Sequence, residues 1–219
     1  MGAVIFDLDG TLIESEQIWS DVRHAFVVEH GGRWPNGAQE RMIGMRTTEW
    51  AHYMHDDLGV TLPPQAIAEQ VVTAVAQRLA RDVPVLPGAA DALERLAAAF
   101  PLGLATAAAR AVAETVLAKT GWTKYFEVVV SADDVARGKP APDVYLRALQ
   151  LMGADPRRTA AVEDSANGIR SAHAAKLAVV AIPNQAFPPD REALSLADRV
   201  LSTIGELDVT TINDVLARR

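Results

Sequence analysis

Cysteine is absent from the 219 residues, which excludes disulfides, thiolate metal sites and a cysteine nucleophile. Basic residues number 21 against 28 acidic, a net of -7, and neither sign gathers into long blocks. A duplex-binding protein needs a basic footprint to displace counterions, so nucleic acid is not an expected partner. No window approaches the roughly 20 apolar residues of a membrane span. The apolar opening ends at Phe6 after one strand's length, and Asp7 and Asp9 follow at once. It has neither the basic segment nor the helix-length apolar stretch of a secretory signal. Phe6 also stands where a myristoylation signal has Ser or Thr. The expectation is a soluble, cytoplasmic protein with no membrane partner. Hydrophobic residues make up 49% of the chain, which disfavours disorder. At roughly 100–200 residues per domain, the length suits one large domain or one domain carrying a smaller one.

What is present is a series of short apolar runs separated by amphipathic stretches, the pattern of a parallel sheet flanked by helices. The runs are Ala3 to Phe6, Leu102 to Ala105, Val128 to Val130, Ala160 to Val162, Ala178 to Ile182 and Arg199 to Leu201. Their lack of alternation suits strands covered on both faces. Helices are expected from Gly88 to Phe100, before Gly121, from Pro142 to just before Gly153, and from a Ser165 cap to about Ala175. About ninety residues separate the first two strands, too many for one crossover helix. Within them Ile18, Val22, Ala25 and Phe26 fall at helical spacing between Glu16 and Glu29, and helical patterns recur over Thr47 to Leu58 and Pro64 to Arg81. The reading is an α/β fold with a helical insertion: a sheet body of residues 1–14 and 84–219, and a helical unit of residues 15–83. Its connections, Thr11 to Ser15 and Val83 to Gly88, look like hinges.

Polar groups stand where these runs end, and the carboxyl ends of parallel strands form the ligand crevice of an open sheet. Asp7 and Asp9 follow the first run, Thr106 the second, Lys139 the third, and Glu163-Asp164 closes the fourth. Singly, each has a plain structural reading as a turn residue, an N-cap or a solvated charge; it is the ensemble that points to chemistry. Crowded carboxylates raise one another's pKa and oppose folding unless a hard divalent cation such as Mg²⁺ compensates. Lys139, the Thr106 hydroxyl and backbone N–H groups around Ala107, at an expected helix start, would hold phosphate oxygens. Together they describe a phosphoryl-transfer site. Asp7 is the expected nucleophile and Asp9 the acid and base.

The segments Phe6-Asp7-Leu8-Asp9-Gly10-Thr11, Thr106, Gly138-Lys139-Pro140-Ala141-Pro142-Asp143 and Val162-Glu163-Asp164-Ser165 resemble the four motifs of the haloacid dehalogenase superfamily in order and spacing. With Asn167-Gly168, they look like the branch of beta-phosphoglucomutases and sugar-phosphate phosphatases. The resemblance covers nearly the whole chain. It implies a Rossmann-like core, a helical cap inserted after the first strand, and Mg²⁺ held by the Asp7 side chain, the Asp9 main-chain carbonyl and Asp164, with Glu163 a direct or outer ligand. It further implies that the mutases have a histidine where this chain has Trp19, and an arginine close to Thr47, beside Arg46. Trp19 cannot transfer a proton, so hydrolysis of a small phosphomonoester such as a sugar phosphate is favoured over a mutase. Glu14, Ser15, Glu16, Trp19 and Arg46 are the expected cap contacts to substrate. A receiver-like module storing a phosphoryl group on aspartate is the alternative of another class, and the insertion and Asp9 argue against it. The histidines suggest no metal site.

Overall fold

The computed structural model describes residues 2–43 and 45–218. Six strands, β1 (Ala3–Phe6), β2 (Leu102–Ala105), β3 (Phe126–Val130), β4 (Thr159–Glu163), β5 (Ala178–Ala181) and β6 (Arg199–Val200), form one sheet in the order β3-β2-β1-β4-β5-β6. Every pairing is parallel. Strands β1, β2, β4 and β5 are buried throughout, whereas the edge strand β3 is partly exposed and β6 exposed. Alternation sorts the two faces. Ile5, Ala105, Ala161 and Val179 face one side with Tyr145 and Ile169, while Val4, Phe6, Leu104 and Val162 join the larger cluster on the other.

The interval between β1 and β2 is helical, with α1 (Glu16–Glu29), α2 (Ala38–Met42), α3 (Thr47–Asp56) and α4 (Pro64–Arg81), followed by α5 (Ala89–Ala97). The chain leaves and re-enters the sheet body at one place. Ile13 bridges Asp9 and Val85, the Glu14 N–H donates to the Pro84 carbonyl at 2.8 Å, and the Leu86 N–H donates to the Leu12 carbonyl at 3.0 Å. Helix α4 packs against α6 (Arg110–Thr120) of the sheet body, and the larger apolar cluster runs through both parts. The remaining helices are α7 (Asp143–Met152), α8 (Ala166–Ala174), α9 (Arg191–Leu194) and α10 (Val209–Leu216).

Several local expectations are corrected. Pro142 is the N-cap of α7 rather than its first residue, and α5 is shorter at both ends than Gly88 to Phe100. Helix α6 begins at Arg110, with Ala109 as its N-cap, so Ala107 lies in the preceding turn and not at a helix start. In α1 the buried face is Trp19, Val22, Arg23, Phe26 and Val27, while Ala25 is exposed. The stripe is thus rotated toward the side that carries an arginine. Helices α2 and α9, only five and four residues long, carry no strong periodic signal in the sequence, whereas α10 does, with Val209, Ile212, Val215 and Leu216 at helical spacing, and is an addition to the helices expected above. Ser165 caps α8 as expected, its hydroxyl accepting the Gly168 N–H at 3.1 Å. Among the described residues, no helix is long and apolar enough to cross a membrane.

Candidate active site

Strand β1 lies where the sheet order reverses, between β2 and β4, and an open parallel sheet parts its loops at such a point. The polar groups that follow β1, β2, β3 and β4 meet there. Lys139 is buried, and its ammonium donates to Asp7 Oδ1 at 2.6 Å, to Glu163 Oε1 at 2.6 Å and to the Ala105 carbonyl at 3.0 Å. Tyr145, on α7, donates its hydroxyl to the same Glu163 oxygen at 2.6 Å. The other Glu163 oxygen accepts the Asp164 N–H at 3.2 Å and the Ser165 hydroxyl at 3.4 Å. Glu163 therefore acts as a buried post under Lys139, with both oxygens engaged. Successive strand residues point to opposite faces, so Asp164 turns the other way and borders the cavity. Thr11 Oγ1 donates to Asp164 Oδ1 at 3.4 Å. Gly10, at φ +82°, lets the turn pass over this carboxylate, since a Cβ there would lie 2.0 Å from Asp164 Oδ2.

Carboxylate oxygens of Asp7, Glu163 and Asp164 lie within 4.8 Å of one another. Burial pushes the Asp7 carboxyl up to about 8, with Glu163 and Asp9 adding to the rise and Lys139 opposing it. Burial likewise holds Asp164 well above the carboxylate range, and the charges of Asp7 and Glu163 raise it further. For Lys139, burial works to lower the pKa, but Asp7 and Glu163 outweigh it and hold the ammonium above the usual lysine value. Three acidic groups face one cation.

Asp9 borders this crevice on the sheet side, two residues after Asp7. The Ser15 hydroxyl donates to Asp9 Oδ1, and burial raises the Asp9 carboxyl above its ordinary value, with Ser15 opposing the rise. Thr106 is buried after β2. Its Oγ1 accepts the Ala108 N–H at 3.0 Å, so its own hydrogen stays free to donate. The cavity is bounded on the sheet side by Asp7, Asp9, Thr106, Ala107, Lys139 and Asp164, and from the insertion by Glu16, Trp19, Arg23, Thr47 and Trp50. Glu14 and Arg46 are not among the described residues lining it. Glu14 accepts from Asn184 Nδ2 at 3.4 Å. Arg46 lies along Gly138 and donates Nη1 to the carbonyls of Val135 at 3.3 Å and Ala136 at 2.6 Å. It fastens the insertion to the loop that carries Lys139, a role its position in the sequence does not suggest.

Two contributors escaped sequence reasoning. Tyr145 reads as one more apolar residue on the buried face of α7. Arg23 did leave a signal: it stands four residues after Trp19, a charge on an otherwise apolar helical face.

Comparison with known proteins bears on this geometry. Residues 1–176 match the family model for haloacid dehalogenase-like hydrolases. The chain is 27% identical over 203 residues to the bifunctional riboflavin kinase/FMN phosphatase of Arabidopsis thaliana, covering 92% of this chain but 53% of that protein, so it spans about half that relative's length. It is 32% identical over 177 residues to the fructose-1-phosphate phosphatase YqaB of Escherichia coli, covering 81% of this chain and 94% of YqaB. The crystal structure of CbbY from Rhodobacter sphaeroides in complex with phosphate superposes with a TM-score of 0.86 at 27% identity, over 97% of this chain and 99% of CbbY. With four strand-end motifs gathered at one switch point and a family match over most of its length, the chain belongs to the haloacid dehalogenase-like hydrolases.

Proposed function

We propose that this protein is a Mg²⁺-dependent phosphatase of a small phosphomonoester, a sugar or polyol phosphate, and that the helical insertion (residues 15–83) is its cap over a body of residues 1–14 and 84–219. The observation that carries the reading is the Lys139 ammonium bridging Asp7 and Glu163 beside Asp164, beneath a cavity that the insertion roofs. The names of YqaB and of the Arabidopsis bifunctional riboflavin kinase/FMN phosphatase support a phosphomonoester as substrate.

The donor set fits a hard divalent cation. Its ligands would be carboxylate oxygens, with no imidazole or thiolate in the cluster. Because both Glu163 oxygens are engaged, the side chains of Asp7 and Asp164 are the ones with oxygens to offer, and the Asp9 main-chain carbonyl completes the proposed set. Mg²⁺ bound there supplies charge shielding between the Asp7 carboxylate and the substrate phosphate.

The chain's own groups divide the remaining work. Lys139 takes one lone pair of Asp7 Oδ1, whose other lone pair would face the cation, and this leaves Oδ2 to attack phosphorus. As the Asp7–phosphorus bond forms and the bond to the leaving oxygen breaks, Asp9 gives that oxygen its proton. A water then attacks phosphorus, passing a proton to Asp9, and the acyl-phosphate bond to Asp7 breaks to release phosphate. Thr106 and the N–H of Ala107 donate to the phosphoryl oxygens. Trp19 borders the cavity with a donor-only indole, so the position where the mutases have a histidine holds no base for a mutase cycle. The test is a panel of metabolite phosphates with Mg²⁺, including beta-glucose 1-phosphate. Release of inorganic phosphate without glucose 6-phosphate is expected. Glucose 6-phosphate as the main product would replace hydrolase by mutase, and a persistent phospho-aspartate without turnover would replace both by a receiver-like module.

A further inference from the structure

Arg23 is 5% exposed on the apolar face of α1, where an unpaired cation is costly. Its guanidinium carbon lies 4.6 Å from the Trp19 ring and 5.0 Å from the Trp50 ring. These two indoles fix its plane, and each contributes a cation–π contact. The ordinary explanation of a buried arginine is a direct ion pair, yet among the described residues no carboxylate lies within 4.0 Å of it. Its hydrogen-bond partner is an amide: Nη1 donates to Gln39 Oε1 at 3.3 Å, and Nε is buried without any partner. Gln39 in turn donates Nε2 to Glu16 Oε2 at 3.1 Å. The bridging amide thus has a set direction, with a donor-only group at one end and a carboxylate at the other. Arg23 and Glu16 both border the cavity above Asp9.

The opposite wall makes this arrangement matter. Past Thr106 the sheet side presents Ala107, Ala108 and Ala109, which offer no polar side chain, and its polar groups are already committed: Lys139 to Asp7 and Glu163, Ser165 to Glu163 and the Gly168 N–H, and Asn184 to Glu14 and the N–H groups of Ala186 and Phe187. Polar recognition of the leaving half of a substrate falls to the insertion. What the insertion offers is one cation, one carboxylate and the uncharged Thr47 hydroxyl, near-neutral in sum. A second phosphate or a carboxylate on the substrate would meet Glu16 and Asp9 as well as Arg23. A hydroxyl, being donor and acceptor at once, satisfies both ends. Resting on the phosphatase reading above, we propose that Arg23 and Glu16, coupled through Gln39, read hydroxyl groups of the leaving alcohol and select a phosphorylated polyol or sugar whose leaving half carries no charge.

The experiment compares fructose 1-phosphate, glycerol 1-phosphate, phenyl phosphate and fructose 1,6-bisphosphate as substrates of the wild-type protein and of Arg23→Met and Glu16→Gln, with Mg²⁺. Each hydroxylated monophosphate should exceed phenyl phosphate and the bisphosphate in kcat/KM. Arg23→Met should lower kcat/KM for the hydroxylated pair about 10–100-fold more than for phenyl phosphate, mainly through KM, the loss expected for a hydrogen bond from a charged donor. Glu16→Gln, which keeps the shape, should move the same ratio in the same direction and serves if Arg23→Met fails to fold. Equal losses on all four substrates would mean a purely structural arginine and overturn the proposal. So would a wild-type preference for the bisphosphate that disappears in Arg23→Met. Binding to the Asp7→Asn protein, followed by the fluorescence of Trp19 and Trp50, separates the two readings. Arg23-dependent binding of fructose 1-phosphate without wild-type turnover would sink the phosphatase and leave this recognition standing. No such binding would sink the recognition itself.

Discussion

Gly168 stands against the Glu163 carboxylate with nothing between them: a Cβ at position 168 would lie 1.8 Å from Glu163 Oε2. The neighbour is a buried carboxylate already fixed by Lys139 and Tyr145, so it cannot swing aside without breaking those bonds. Gly168→Ala should therefore destabilise the fold by about 1–3 kcal/mol from overpacking alone, and lower kcat by displacing Lys139. Chemical denaturation and steady-state kinetics together check this. An unchanged midpoint and unchanged kcat would show that the helix shifts at no cost.

Lys139 and Asp7 should separate stability from chemistry. Removing the ammonium in Lys139→Met leaves two buried carboxylates uncompensated, a loss of about 3–5 kcal/mol when a buried pair is broken. Asp7→Asn keeps the shape and removes one of the crowded charges, so it should fold at least as well as wild type and turn over nothing. Melting curves and a phosphate-release assay on the two variants decide the matter. Residual turnover in Asp7→Asn at the wild-type rate would exclude Asp7 as nucleophile.

For Asp9 the expected signature is leaving-group dependence. Loss of a general acid typically costs ~10²–10⁴-fold. Asp9→Asn should lose most on alkyl phosphates, whose alkoxide needs the proton, and less on p-nitrophenyl phosphate, whose phenolate leaves unaided. A uniform loss across both classes would assign Asp9 to positioning instead.

Proton and metal should compete. Burial raises Asp7 to about 8, above its unfolded value of 3.8, and raises Asp164 as well. A raised carboxyl binds its proton more tightly in the folded state, so the contribution of these two groups to metal-free stability is largest at low pH. It falls as pH climbs from about 4 toward about 8. Mg²⁺ takes the proton's place, so its affinity should rise with pH and its binding should release protons. Thermal midpoints with and without Mg²⁺ at about pH 5.5 and about pH 8, with calorimetry in two buffers, measure both effects. A stabilisation by Mg²⁺ that is the same at both pH values would contradict the linkage.

Much of the architecture could be read along the chain. Unalternating runs such as Ala3 to Phe6 and Ala160 to Val162 announce strands covered on both faces, because burial on two sides removes the need for polar positions. The polar residues that break those runs, Asp7, Thr106 and Asp164, mark the strand ends, and in a parallel sheet all such ends point one way. The same logic missed the short helices α2 and α9, since fewer than two turns leave no period to detect.

By itself, then, the sequence determined which polar residues follow the strand ends and that a helical unit interrupts the chain beside them. Only the tertiary structure decided how those residues are shared out. Glu163 and Asp164 are adjacent in the chain, but the pleat sends one under Lys139 and the other to the cavity. Arg46 fastens two carbonyls some ninety positions away, while Arg23 takes the place over the cavity. Periodicity reports which face of an element is buried. It carries no record of which atoms from distant segments come within three ångströms, because strand order and helix docking set that distance.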